Sequence, residues 1–398
     1  MPDLEGFRAE LRDWLERSAP QSLIGAPGTE LDGTWGGRRA RHPDPARKRW
    51  LDACAERGFT APEWPRAYGG GGLSREEARL LRQELARLRL PPPLIGFGLT
   101  MIGPVLLQFG SEEQKREHLP PICRGEIRWC QGYSEPGAGS DLAGLQTRAV
   151  LEGDHYVING QKIWTSYADL ADWMFLLVRT DPSARKQEGI TFILMDMETP
   201  GVSVKPIKLI SGSSPFCETF ISGARVPARN VIGKVNGGWT VAKALLAHER
   251  TMIADAFGAA SSGGKRRSFA EWARDYVGSE DGRLADGALR DRIAQNEMDA
   301  RAFLLTTQRA RDAAKAGHAP GPESSLFKVY GTELNQRRLE LLVSIAGPQA
   351  LGWEGAGFDE RELDWTRQWL RSRGNSIEGG TSEVQLNIIA KRVLGLPD

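Results

Sequence analysis

The run Tyr133-Ser134-Glu135-Pro136-Gly137-Ala138-Gly139-Ser140-Asp141 concentrates small residues and hydroxyls. Glycines let backbone N–H groups approach an anion closely, and the Ser134 and Ser140 hydroxyls add donors. Such a loop can hold a pyrophosphate and the pyrimidine edge of a flavin; it can equally be a glycine-rich turn between strands. A second run, Asn159-Gly160-Gln161-Lys162-Ile163-Trp164-Thr165-Ser166, ends on an indole followed by hydroxyls. A tryptophan at a strand end can cover one face of a flat heterocycle while the hydroxyls bond its polar edge, although a lone tryptophan there is usually core. Near the C-terminus comes Ile377-Glu378-Gly379-Gly380-Thr381-Ser382-Glu383-Val384-Gln385. Its two glycines let the chain pass close to a ligand before a helix begins; by itself the run reads as an N-capped helix entry.

The elements that must position these runs change character along the chain. Up to about residue 125 the periodicity is helical, with Ser74-Arg75-Glu76-Glu77 and Ser111-Glu112-Glu113-Gln114 as capping-box starts. From about 126 to 236 the period shortens. Tyr156 to Trp164 reads as a hairpin turning at Asn159-Gly160, and Trp173 to Val178 and Ile190 to Met195 are short apolar runs bounded by charge or turn residues. Helical periodicity returns from Gly238 to the end. Helices, then strands, then helices argue against alternating βαβ units, and no GxGxxG follows a strand. The expected fold is therefore α+β multidomain: a helical domain over 1–125, a central antiparallel β-barrel or sandwich over 126–236, and a helical domain over 237–398.

Composition narrows the chemistry. The 398 residues exceed one ordinary core, so two or three lobes with room for a large ligand are expected. Lys and Arg total 52 against 51 Asp and Glu, so no net field recruits nucleic acid or an anionic membrane. Cys54, Cys123, Cys130 and Cys217 form no CxxC pair, and no histidine has zinc-ligand spacing; reduced thiols, a cytoplasmic location and no metal follow as expectations. The start, Met1-Pro2-Asp3-Leu4-Glu5, has acids where a secretion signal needs bases. Leu90 to Gly110 is uncharged and long enough to span a bilayer, but Pro91, Pro92, Pro93 and Pro104 make a buried loop and short core helix the better expectation. Gly69 to Gly72 lacks the Lys-Ser/Thr pair of a phosphate-binding loop and reads as a connector.

The segments "SEPGAGSDLAGLQTRA", "NGQKIWTS" and "GGTSEVQLNIIAKRVLGLP", in this order and spacing, resemble the acyl-CoA dehydrogenase family over nearly the whole chain. The resemblance implies an N-terminal helical domain, a central β-domain and a C-terminal four-helix bundle, assembled as a homotetramer or dimer of dimers. It implies FAD as cofactor, an acyl-CoA substrate of fatty-acid β-oxidation and an electron-transfer flavoprotein as acceptor. By matching positions, Gln131, Tyr133, Ser134, Gly139, Ser140, Trp164, Thr165 and Ser166 fall in the flavin site. Ser134 is expected to bond the ring, Trp164 to pack against it and Ser166 to reach N5. Gly379 and Gly380 are expected beside the cofactor, with Thr381 and Glu383 near its adenine half. Ser140, Arg250 and Lys391 are expected to contact CoA, and Leu90 to Phe109 to line the acyl tunnel with the helix around Glu249. The family's "RxxFG" arginine, which reaches FAD from a neighbouring subunit, is not matched by Arg266-Arg267-Ser268-Phe269-Ala270.

The α-proton of a thioester is weakly acidic, so its removal needs a carboxylate in a desolvated site and an acceptor for the charge of the forming enolate. Much of the family carries the base two residues before the threonine of the C-terminal motif, where this chain has Gly379; Glu378 is one residue early. A branch resembling isovaleryl-CoA and long-chain dehydrogenases carries it on the first long helix of the C-terminal domain, where this chain has His248-Glu249-Arg250. Glu249 follows the apolar run Ala244 to Ala247, and a buried carboxylate there would have a raised pKa; an ordinary surface Glu-Arg pair fits the helix equally. The resemblance selects Glu249. The expected reaction is FAD-dependent α,β-dehydrogenation of an acyl-CoA to its trans-2-enoyl-CoA, with Glu249 taking the proton and hydride passing to flavin N5. Two alternatives stand beside it: a partner subunit of a heteromeric acyl-CoA dehydrogenase, and a same-fold flavin oxidase or monooxygenase.

Overall fold

The computed structural model describes residues 3–25, 33–246, 267–316, 321–322 and 324–397. They pack as two compact units, Met1–Ile207 with Pro215–Leu246, and Lys208–Ser214 with Ala247–Asp398.

In the first unit, helices α1 (Leu4–Ser18), α2 (Pro45–Glu56), α3 (Arg75–Arg87), α4 (Gly103–Phe109) and α5 (Glu112–Cys123) precede the strands. Both expected capping boxes form. Ser74 Oγ accepts the Glu77 N–H while the Glu77 carboxylate accepts the Ser74 N–H, and Ser111 and Gln114 repeat the exchange at α5. Leu11, Trp14, Leu15, Trp50, Phe59 and Leu81 form a core between α1, α2 and α3. The uncharged stretch after Leu90 is a loop bridged to Trp35 at Ile95, one π-helical turn over Gly98–Ile102, and α4. Gly103 has to be glycine, because a Cβ there would lie 2.0 Å from the Trp64 ring. Among the described residues no helix is long and apolar enough to cross a membrane.

Strands β1 (Trp129–Gly132), β2 (Arg148–Glu152), β3 (His155–Ser166), β4 (Trp173–Arg179), β5 (Ile190–Asp196), β6 (Val202–Ile207) and β7 (Phe216–Pro227) form one sheet. Its order is β1-β4-β2-β3-β7-β6, with β5 also on β4. Pairing is antiparallel except where β4 meets β1 and, at Arg148 and Arg179, β2. Strands β4 and β5 are buried on both faces, which is why they read as unbroken apolar runs. Met174, Leu176, Val178, Ile193, Met195, Cys217 and Ile221 belong to their core.

The expected Asn159-Gly160 hairpin does not form. The chain reverses earlier, at Gly153-Asp154, with Glu152 opposite His155 and Gly153 at φ +65°. Strand β3 then runs straight through Asn159-Gly160, where its register against β7 slips between Ile158 and Gly160. Strand β7 offers partners to both halves of β3, so continuing costs less than turning. The pair makes a bulge: a Cβ at Gly160 would lie 2.5 Å from Thr147 Oγ1, and Asn159 Oδ1 accepts the Gly223 N–H at 2.8 Å.

The second unit contains α6 (Phe269–Val277), a ribbon of β8 (Ser279–Glu280) and β9 (Arg283–Leu284), then α7 (Gly287–Lys315), α8 (Ser324–Ala346), α9 (Glu360–Ser372) and α10 (Ser382–Ile388). Leu289, Ile293, Leu341 and Ile345 form one core cluster, and Leu339, Leu342 and Trp365 belong to another.

Candidate active site

The loop after β1 is clamped to β3 by a buried ion pair. Glu135 Oε1 accepts from Lys162 Nζ at 2.8 Å and from the Thr147 N–H at 2.9 Å, while Oε2 accepts the Gln146 N–H at 2.6 Å. Lys162, at 0% exposure, also donates to the Tyr133 carbonyl at 3.1 Å. One residue along, the Ile163 N–H donates to the Ser134 carbonyl at 2.9 Å. Burial pushes the Glu135 carboxyl up, but the Lys162 charge and the hydrogen bonds outweigh it and hold the group below its ordinary value. Burial in turn lowers the Lys162 ammonium to about 8 against the pull of Glu135, so the pair is ionised at neutral pH. Sequence reasoning gave neither residue a role. No local signal marks the pair: Lys162 stands between Gln161 and Ile163, and Glu135 shares its run with a second acid, Asp141.

Clamped in this way, the loop presents its far side outward. Glu135 and Ala138 exchange backbone hydrogen bonds of 3.1 and 3.0 Å across a tight turn. A Cβ at Gly137 or Gly139 would meet nothing within 4 Å, so these glycines face open space, as does exposed Ser140. A cleft of ≈ 250 Å³ lies alongside, lined by Pro136, Gly137, Gln146, Thr147 and Gln161 among others. Tyr133 is buried, and Gln131 is half-buried on β1 opposite Phe175 of β4.

Trp164, like Tyr167 at φ +54°, has a left-handed backbone that bulky residues avoid. It sits at φ +61°, inside the register shift of β3 against β7 between Lys162 and Thr165. A bulky residue in the left-handed region costs about 1–2 kcal/mol, and strain of this kind gathers at functional sites. The bulge holds the indole out of the sheet at 52% exposure; among the described residues its one ring contact is an edge contact to Phe216 at 6.1 Å. Thr165 turns the other way, its hydroxyl bonded to the Cys217 carbonyl at 2.8 Å and to Thr219 Oγ1 at 3.0 Å. Its side chain is thus engaged inside the sheet. Ser166 stays half-buried at the strand end. The first unit therefore joins the Ser134 loop to the Trp164–Ser166 strand end: an exposed aromatic face, hydroxyls, and open backbone that an anion could approach.

In the second unit, Gly379 (φ +62°) and Gly380 (φ +91°) form a left-handed turn into α10, and a Cβ at Gly380 would lie 2.4 Å from Gln385 Nε2. Thr381 Oγ1 caps that helix by accepting the Val384 N–H at 3.2 Å; Glu383 and Lys391 are exposed. The Glu378 carboxylate is bound by Arg371 Nη2 at 2.7 Å and by Asn375 Nδ2, which fastens the turn following α9. Arg267 pairs with Asp275 and stacks over Trp272 at 4.2 Å, so it serves its own helix. Glu249 and Arg250 lie outside the described residues.

Three family models match consecutive stretches: the acyl-CoA dehydrogenase N-terminal domain over residues 29–126, the middle domain over 130–223 and the C-terminal domain over 236–394. The chain is also 36% identical over 404 residues to acyl-CoA dehydrogenase IpdE1 of Mycobacterium tuberculosis (strain ATCC 25618 / H37Rv), covering 100% of this chain and 99% of that one. The chain belongs to the acyl-CoA dehydrogenase family. Among solved structures this acyl-CoA dehydrogenase is similar to the Tcur3481-Tcur3483 steroid ACAD, with TM-score 0.74, 32% identity and 99% and 97% of the two chains covered. It is also similar to the ChsE4-ChsE5 complex from Mycobacterium tuberculosis, with TM-score 0.71, 30% identity and 100% and 98% covered. Acyl-CoA dehydrogenases are flavin-dependent oxidoreductases of fatty-acid metabolism, and the helical, curled-sheet and helical sequence of domains is theirs.

Proposed function

We propose that this acyl-CoA dehydrogenase binds FAD and converts an acyl-CoA thioester to its trans-2-enoyl-CoA, with Glu249 as the base. The observation that carries the reading is Trp164. The chain accepts a strained backbone to hold a large apolar surface out of the sheet, beside a clamped loop whose glycines leave its outer edge open. That arrangement fits a flat ring bearing a polar edge and a pyrophosphate.

In this reading the indole covers a ring face, Ser134 and Ser166 hydrogen-bond the ring, and Ser140 serves the phosphates or CoA. Gln131, Tyr133 and Gly139 complete the ring site, with Thr165 contributing through its backbone because its hydroxyl is engaged in the sheet. Gly379, Gly380, Thr381 and Glu383 serve the adenine half; Arg250 and Lys391 serve CoA. FAD, when bound, supplies the hydride acceptor. Glu249 removes the α-proton. Support for Glu249 over Glu378 comes from the second unit, where Arg371 and Asn375 engage the Glu378 carboxylate and Gly379 has no side chain to offer. Electrons then leave to an electron-transfer flavoprotein in the cytoplasm.

Assembly as a dimer of dimers follows the family. A heteromeric form, pairing this chain with a second acyl-CoA dehydrogenase chain, is favoured by the relatives with two-part names, Tcur3481-Tcur3483 and the ChsE4-ChsE5 complex. Anaerobic addition of acyl-CoA to the purified yellow protein tests the chemistry. A dehydrogenase bleaches and stays bleached when air is admitted. Rapid recolouring would identify an oxidase, and a colourless protein that takes up no FAD would overturn the whole reading.

A further inference from the structure

The stretch Gly96 to Leu99 and the start of β1 enclose a small cleft in the first unit, with room for ≈ 20 Å³. Its walls are apolar, from Leu94, Phe97, Leu99 and Ile122 among others, except for Arg128 and Trp129. Both bring hydrogen-bond donors that nothing answers. Among the described residues, Arg128 Nε and Trp129 Nε1 are buried without an acceptor. Trp129 is 1% exposed, and its Cδ1, the ring atom next to Nε1, would lie 3.3 Å from a Cβ on Gly98 of the same wall.

The Arg128 guanidinium is held by its faces, 4.1 Å from the Trp35 ring and 5.0 Å from the Tyr167 ring. Stacking engages the faces and leaves the edge Nε–H unanswered. Asp172 Oδ2 accepts the backbone N–H groups of Arg128 at 2.7 Å and Arg38 at 2.9 Å, and its Oδ1, itself buried without a partner, takes no hydrogen bond from Arg128 Nε. A buried donor without an acceptor is costly, and here a cation and an indole carry such donors around one cleft. Among the side chains that line the cleft these two bring donors, and a bound acceptor is the group that would answer them. A site of this size holds about one oxygen-sized group.

We propose that Arg128 and Trp129 form a subsite for an acceptor oxygen, carbonyl or carboxylate, carried by the acyl group at a point remote from the thioester. The proposal rests on the dehydrogenase reading and names its substrate class. A plain alkyl chain ending in this cleft would leave both donors unanswered, whereas an oxygen-functionalised acyl group answers them and still packs on the apolar walls.

The test uses the FAD-loaded protein and acyl-CoA thioesters matched in length, ending in alkyl, ketone or carboxylate. Flavin bleaching gives kcat/KM, and calorimetry gives affinity without requiring turnover. One or both oxygenated thioesters should be preferred over the alkyl one by about tenfold or more. Arg128→Met, Arg128→Lys and Trp129→Phe should each shrink that ratio, with FAD content and melting temperature certifying the fold; Trp129→Phe deletes little beyond the N–H. Equal affinity and kcat/KM across the set would mean that only water fills the cleft, and a preference that survives in the folded variants would place recognition elsewhere; either result overturns the proposal. Bleaching by none of the thioesters would count against the dehydrogenase reading instead, while calorimetry would still decide the oxygen preference.

Discussion

Replacing Glu135 by glutamine keeps shape and removes one charge from the clamp between the Ser134 loop and strand β3. Lys162 is then buried at 0% exposure with no carboxylate, and the acceptor of the Gln146 and Thr147 N–H groups loses its charge. Breaking one side of a buried pair costs about 3–5 kcal/mol, a large share of the 5–15 kcal/mol that holds a typical fold together. The cost depends on pH, and its sign can be worked out. Burial already lowers Lys162 to about 8, and Glu135 is the group that raises it. Without that carboxylate the ammonium falls further, so the folded variant binds fewer protons than its unfolded chain, whose lysine keeps its ordinary value. Stability of Glu135→Gln therefore rises with pH from the depressed Lys162 value up to the ordinary lysine range, by at most about 1.4 kcal/mol per pH unit. The wild-type pair behaves differently on the acid side. Glu135 titrates below its ordinary value, so its contribution is complete above the ordinary carboxylate range and is lost as pH falls through the depressed value. Denaturant unfolding followed by circular dichroism at several pH values would measure this in Glu135→Gln, Lys162→Met and the double variant. A coupling above about 2 kcal/mol at pH 7, with a variant whose deficit narrows as pH rises, is expected. Single variants costing under about 1 kcal/mol, or a deficit that widens with pH, would refute the argument.

Three further outcomes are expected. Glu249→Gln should still bind acyl-CoA while flavin reduction in stopped flow falls by roughly 10²–10⁴-fold, and Glu378→Gln should keep most activity because its carboxylate braces a turn; the opposite pattern would move the base to the C-terminal turn. Ser134→Ala and Ser166→Ala should each weaken FAD binding or slow reduction, by about 0.5–3 kcal/mol per lost hydrogen bond, and unchanged titrations and reduction rates in both would reject those contacts. Trp164→Gly should relieve the left-handed strain, leaving the FAD-free protein at least as resistant to urea while lowering FAD affinity; a clearly less stable apoprotein would mean that the indole is there for packing.

What could be read in advance divides by the range over which each signal acts. Ser74 with Glu77 and Ser111 with Gln114 satisfy each other across three residues, so their helix starts were legible as short words. The same holds for β4 and β5, whose burial on both faces leaves no polar alternation to interpret. Asn159-Gly160 failed for the complementary reason. As a dipeptide it favours a tight turn, but β7 lies beside both halves of β3, and a preference of local origin gives way to a ladder of hydrogen bonds formed with residues some sixty positions later. Glu135 and Lys162 are 27 residues apart and become partners only once β3 closes over the loop. Each stood inside a run recognised for its glycines, serines and tryptophan, yet nothing local says which charge will be buried. The residues proposed to face a ligand were the ones that stood out in the sequence, because chemistry restricts residue type. The residues that hold them in place were not, because any pair of opposite charges brought together by the sheet would serve, and only the three-dimensional pairing says which pair does.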